Sequence, residues 1–180
     1  MSGVVRVIRR STWRAMPWKN GLGVTHELLR EGDGAPGFAL RLSVAEVSAD
    51  APFSRFDGVD RVLTLLAGSG LRLRRDDGLT VTLDRVGEPF AFAGEDAWDC
   101  ALLGGATLDF NVMTDRAQRT ATARRCEPGV LEATYALALS PGRIGDELVG
   151  AFDLAALSGP VEASVATVAV TLWPRDPPRR

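Results

Sequence analysis

Hydrophobic and polar residues alternate with a period of two along much of the chain. In GLRLRRDDGLTVTLD, Leu71 and Leu73 alternate with Arg72 and Arg74. Asp77-Gly78 then supplies a turn, and Val81 and Leu83 alternate with Thr80 and Thr82 on the return. This pattern predicts a β-hairpin. In FALRLSVAEV, Phe38, Leu40, Leu42 and Val44 share one face of a strand, and Arg41 and Ser43 share the other. DRVLTLLAG is almost continuously apolar and ends in glycine, which suits a strand buried on both faces. WDCALLGG, TLDFNVM, TATARRC, LEATYALALS and VEASVATVAVTLW extend the series. One segment departs from it: GRIGDELVGAFDLAALSG spaces its apolar residues three and four apart, which predicts a helix over about Asp146 to Leu157.

So many short strands in a chain of 180 residues predict an all-β fold, a sandwich or barrel of the jelly-roll kind with one or two short helices. The distinctive polar groups lie before about Thr122, and the remainder of the chain is rich in Ala, Leu and Val. On a two-half reading, residues 1–122 carry the chemistry, 123–174 complete the fold and 175–180 form a flexible tail.

Composition narrows the function classes. A hydrophobic fraction of 46% and a charged fraction of 24% are those of an ordinary globular protein. A net charge of -2 and a pI near 5.5 give no electrostatic footprint for nucleic acid or an acidic membrane surface. No apolar run is long enough for a transmembrane helix, and arginines interrupt the stretch where a signal peptide would be apolar. The expectation is a cytoplasmic protein. Cys100 and Cys126 read as reduced core or half-buried thiols.

Motifs for common chemistries fail on context. GDGAPG fits G-x-G-x-x-G, but it contains Pro36 and runs straight into the strand at Phe38, so it is a loop. His26 is the only histidine, which removes a His-rich metal site and leaves a Ser-His-Asp triad no other candidate. No metal and no cofactor is expected.

Four polar clusters stand out. In Trp18-Lys19-Asn20, Asn20-Gly21 is a favourable turn pair and Trp18 a natural core anchor, but Lys19 is unusual: every other one of the 21 basic residues is arginine. A lysine kept there suggests a point charge inside a pocket, where a guanidinium fork would not fit. Arg41 and Ser43 share a strand face, which in most alternating strands is solvated. In FSRFDGVDR, Arg61 stands at the mouth of an apolar strand, with Asp57 and Asp60 at hand for a salt bridge. In LDFNVM, Leu108, Phe110 and Val112 form one face and Asp109 and Asn111 the other. Cations with amide and hydroxyl groups make an inventory for gripping a small carboxylate.

MPWKNGLGVTHEL, FALRLSVAEVSADAPFSRFDGVDRVLTLLAGSGLRL and LDFNVMTDR, in that order, resemble the HutD/Ves family of bacterial cupin-like proteins. That family shows a Pro-Trp-Lys-Asn-Gly-Gly motif, an Arg-x-Ser strand, a Gly-Pro-Phe-Ser loop followed by Gly-x-x-Arg, and an Asn-x-Met segment. The resemblance implies a cupin (RmlC-like) jelly-roll β-barrel with a second cupin-like half, and homodimer formation through its sheets. It carries a ligand pocket onto Lys19, Asn20, Arg41, Ser43, Ser54, Arg61 and Asn111, with Trp18 and His26 beside it. It also implies non-enzymatic binding of a small anionic metabolite (formate, a formyl-amino acid or urocanate) and a regulatory role in histidine utilisation or stress response. The alternatives are a metal-free enzyme using Lys19 or His26 as base on a small acid, and a protein-interaction module. Four positions depart from the family pattern: Leu22 replaces the second glycine, although Gly23 comes next, and Ala51 replaces the loop glycine. His26 and Asp115 stand where basic residues are usual, which bears on the ligand and not on the fold.

Overall fold

The structure, a computed structural model, describes residues 3–175. Its strands are β1 (Val4–Ile8), β2 (Arg14–Pro17), β3 (Gly23–Glu31), β4 (Leu40–Val47), β5 (Ala51–Pro52), β6 (Val59–Ala67) and β7 (Leu71–Arg75). They continue as β8 (Thr80–Leu83), β9 (Pro89–Ala93), β10 (Trp98–Leu102), β11 (Thr107–Asp115), β12 (Arg119–Cys126) and β13 (Gly129–Leu131). The last are β14 (Tyr135–Ala138), β15 (Gly142–Ile144), β16 (Glu147–Val149), β17 (Leu154–Leu157), β18 (Val161–Ala163) and β19 (Thr167–Pro174). One 3-10 turn, Arg10–Thr12, is the helical content of the described residues, and no helix among them is long and apolar enough to cross a membrane.

Two compact units result. Arg14–Thr120 form one, and the residues before Arg14 together with Ala121–Trp173 form the other. The start of the chain therefore does not stay with the first half, as the two-half reading expects. The reason is pairing: β1 runs antiparallel to β17, with Val7 opposite Ala155 and Ile8 opposite Leu154.

In the 14–120 unit the ladders form a six-stranded sheet, order β2-β3-β4-β11-β6-β9, and a four-stranded sheet, order β5-β10-β7-β8. Both are open, with edge strands, and the ladders of the described residues do not close into the expected barrel. Leu63 and Phe92 of the larger sheet pack with Leu71, Leu73, Leu83, Trp98 and Cys100 of the smaller one. Phe90 stacks on Phe92 at 5.5 Å between centroids and meets Trp98 edge-on at 5.6 Å. The expected hairpin is β7–β8, with Leu71 opposite Leu83 and Leu73 opposite Val81. The Asp77 carboxylate accepts the Leu79 N–H (3.0 Å), and Gly78 takes a left-handed φ of 91°.

The other unit carries a five-stranded sheet, order β1-β17-β14-β19-β12, and a four-stranded sheet, order β13-β18-β15-β16. The helix expected over Asp146–Leu157 is absent; the segment holds β16 and β17. Gly145-Asp146 is a two-residue hairpin turn joining β15 to β16, with Ile144 opposite Glu147. Gly145 (φ 55°) and Phe152 (φ 69°) both sit in left-handed backbone that an α-helix excludes. Arg175, at the start of the expected tail, donates its N–H to Gln118 O (2.9 Å), and residues 176–180 lie outside the described residues.

Asp153 locks the start of β17. Its buried carboxylate accepts the Arg10 N–H (2.7 Å), the Gly150 N–H (2.9 Å) and the Arg9 guanidinium (3.0 Å). Burial pushes its pKa up, but these three donors outweigh it and hold it below the usual aspartate value. Asp153→Ala strands two backbone donors and is expected to cost about 3 kcal/mol in urea unfolding, with Asp153→Asn losing less because one acceptor oxygen survives.

Candidate functional site

The larger sheet of the 14–120 unit supplies the floor of a cavity of about 520 Å³. Directly opposed residues of neighbouring strands point to the same face, so the register lays out three rows. Thr25, Ala45 and Asp109 make the first, and Ser43, Asn111 and Leu63 the second. Arg41, Met113 and Arg61 make the third. All nine line the cavity, and Met16, Pro17, Trp18, Val47, Pro52, Phe53 and Phe56 add apolar walls.

The seven residues expected to bind, Lys19, Asn20, Arg41, Ser43, Ser54, Arg61 and Asn111, all line this cavity, and so does Trp18. His26 does not. It sits one position from Thr25 on β3, opposite Ala15 and Val44, where alternation turns it from the Thr25 face. Asp115 is also outside the lining: its carboxylate accepts the Ala117 N–H and the Gln118 amide in the turn into β12. The two departures in charge from the family pattern thus lie off the cavity wall.

Arg61 dominates the electrostatics. It is 7% exposed, and the expected salt bridge to Asp57 or Asp60 is absent, because Arg116 takes Asp60 at 2.6 Å. Arg61 instead donates to Asn111 Oδ1 (2.7 Å) and to the Ser54 carbonyl (3.1 Å), while its Nε–H has no partner. The rings of Phe53, Phe56 and Phe92 lie 5.4, 5.5 and 4.9 Å from its guanidinium carbon. Burial first, and then the like charge of Arg41, push its pKa down to about 10, so it stays cationic at neutral pH. Among the described residues no carboxylate balances it. Guanidinium only donates, so Asn111 must turn its oxygen to Arg61, which leaves the two amide N–H donors without a chain partner.

Arg41 is partly neutralised. Its Nε–H donates to Glu27 Oε2 (3.0 Å), an oxygen shared with Arg30. Burial raises the Glu27 pKa, but the hydrogen bonds and charges of Arg30 and Arg41 outweigh it and hold the carboxyl down. Ser43 is buried beside Asn111, so the Arg41/Ser43 face is cavity wall and not the solvated face usual for an alternating strand.

Lys19 corrects the expectation of a charge inside the pocket. It lies in the turn between β2 and β3 and is exposed, at the cavity rim rather than inside. Asn20 caps that turn, its Oδ1 accepting the Leu22 N–H at 3.0 Å, and Gly21 takes φ 72°. Gly23, not position 22, is where glycine is required: a Cβ there would sit 2.5 Å from Glu46 O and 3.0 Å from the Trp18 ring. Trp18 is held in place by its Nε1–H on Thr25 Oγ1 (2.8 Å).

Thr25, Met113, Phe53, Phe56 and Asp109 also line the cavity, beyond the seven residues expected to bind. Period-two spacing from Asn111 points to Asp109 and Met113, and Phe53 sits inside the Pro-Phe-Ser motif; Phe56 and Thr25 carry no such signal. Asp109 is 1% exposed, and burial pushes its pKa up to about 7 against the opposing hydrogen bond from Thr107.

The match to a protein-family model described as HutD covers residues 10–143. A Pseudomonas putida protein described as an uncharacterised 21.2 kDa protein in the hutC 3' region is 42% identical over 110 residues. That match takes in 61% of this chain but only 57% of the relative's length. Protein Ves of Citrobacter koseri is 34% identical over 145 residues, covering 78% of this chain and 73% of its own. The solved structure of HutD from Pseudomonas fluorescens SBW25, described with a formate condition, superposes with a TM-score of 0.86 at 29% identity, covering 95% of this chain and 99% of that one.

Because the folded state holds the Asp109 proton more tightly than an unfolded aspartate, its contribution to stability is fullest below pH 3.8, falls between pH 3.8 and about 7, and then levels off. Asp109→Asn is expected to remove this dependence and to be more stable than the parent by roughly 2–4 kcal/mol at pH 8, with little difference at pH 4. Urea titrations at the two pH values measure it.

Proposed function

The chain belongs to the HutD family, and we propose that its cavity binds a small carboxylate and that occupancy regulates histidine utilisation. The observation that carries this reading is Arg61, a buried cation with no carboxylate partner among the described residues. A charge out of water is costly unless an opposite charge and hydrogen bonds accompany it. An anion beside Arg61 supplies what the chain withholds, and the free N–H donors of Asn111 and the Ser43 hydroxyl orient it. Lys19 at the rim draws the anion in and contributes a screened, salt-dependent share of the affinity.

The relative from Pseudomonas putida carries a name tied to the hutC region, and the HutD of Pseudomonas fluorescens is described with a formate condition. The first supports a metabolite of histidine breakdown as ligand here. A cupin-like fold with open sheets suits that use, because its sheet presents a row of inward side chains to one small molecule. At about 520 Å³ the cavity is far larger than formate, so a formyl-amino acid or urocanate fills it better. The lining holds no histidine and no cysteine, which favours binding over nucleophilic catalysis.

A thermal-shift series with formate, N-formylglutamate, urocanate, histidine and glutamate tests the reading. A ligand at a hundred times its Kd stabilises the native state by about 2.7 kcal/mol, several degrees in Tm for a chain of this size. Arg61→Met is expected to abolish that shift while leaving the unliganded protein folded, and Lys19→Ala to weaken binding a few-fold, more so at low salt. Failure of every acid to raise Tm overturns the proposal.

A further inference from the structure

Carboxylate binding at Arg61 leaves one cavity residue unexplained. Asp109 lies two positions before Asn111 on β11, on the same face, so roughly 7 Å of strand separates them. It is 1% exposed and lines the cavity. Thr107 Oγ1 donates to its Oδ2 at 2.8 Å, but Oδ1 has no partner, and no cation pairs with it among the described residues. Its neighbours across the ladder, Ala45 and Leu65, have no side-chain donor to give. Folded chains leave few buried polar atoms unpaired, and an orphaned acceptor on a cavity wall is one that an occupant can satisfy.

We propose that Asp109 recognises the end of the ligand remote from the carboxylate held by Arg61, so that the cavity selects a carboxylate carrying an N–H or O–H donor at its far end. The inference rests on the carboxylate-binding reading and adds a second anchor to it. The cavity is then polarised along β11. Arg61 and the Asn111 amide donate at one end, Asp109 accepts at the other, and Trp18, Phe53 and Phe56 bound the apolar body between. Formate is too short to reach both anchors. Asp109 is a specificity residue on this view, and Arg61 holds the affinity common to all acids.

Calorimetric titration of the full chain with urocanate and with 3-(2-furyl)acrylate tests this. The two are monocarboxylates of matching length and shape, and only the first carries a ring N–H. The chain is expected to bind urocanate at least about tenfold more tightly, the worth of one well-placed hydrogen bond in a buried site. Asp109→Leu should bring the ratio close to one by weakening urocanate alone. Asp109→Asn, nearly isosteric, should lower the ratio several-fold through loss of the charge-assisted bond while leaving furylacrylate affinity unchanged; it decides the matter if the leucine variant does not fold. Equal binding of the two acids by the parent, or a ratio that survives substitution, overturns the role of Asp109 and leaves carboxylate binding standing. Binding of neither acid overturns this inference, and the carboxylate reading falls with it only if every acid of the thermal-shift series fails as well.

Discussion

A guanidinium taken almost wholly out of water must be held by something, and in this chain no described carboxylate does it. Arg61 is fixed by an amide oxygen, a backbone carbonyl and three phenylalanine rings. Each of these holders except Phe92 is also cavity wall. Asn111 presents its N–H donors because Arg61 has claimed its oxygen. The Ser54 loop is drawn in by its carbonyl, and Phe53 and Phe56 come with it. The polar end of the cavity is thus a consequence of one buried charge and the groups needed to keep it there.

The acidic residues show how that charge stays unbalanced. Asp60, close to Arg61 in sequence, is committed to Arg116, which also binds Glu95 at 2.7 Å. The Arg116 and backbone hydrogen bonds outweigh burial to keep the Glu95 pKa low, at about 2. Glu27 serves Arg30 and Arg41. Asp115 closes a turn. Asp109 remains, two residues from Asn111 along the strand, and among the described residues it makes no ion pair or hydrogen bond with Arg61, whose partners are Asn111 and Ser54. The cavity therefore has an electropositive end and a weakly acidic floor position that do not cancel each other, an arrangement suited to an asymmetric ligand.

Much of this was legible from strand periodicity. Arg41 with Ser43, and Asp109 with Asn111, follow from a period of two, and so does the apolar face opposite them. The β7–β8 hairpin follows from Asp77-Gly78. The helix expected over Asp146–Leu157 misled because Ala, Leu and Val at spacings of three and four also fit short strands joined by tight turns, and Gly145-Asp146 was the stronger signal. Lys19 misled differently: rarity marked it as special, but rarity carries no information on depth, and the turn set by Asn20-Gly21 lifts it to the rim.

The sequence by itself determined an all-β chain, the strands that carry polar groups on one face, and the identity of the residues able to hold an anion. These are local matters, decided by alternation, turn chemistry and side-chain type. Only the tertiary structure decided that the polar face of β4 and β11 is cavity wall and not solvated surface, since periodicity marks a polar face without saying what lies over it. It also decided that Arg61 and not Lys19 is the buried cation, because burial depends on what the loop of Phe53 and Phe56 covers. And it decided that the first strand joins the last third of the chain, a pairing between residues about 150 apart that rests on hydrogen bonds no local pattern encodes.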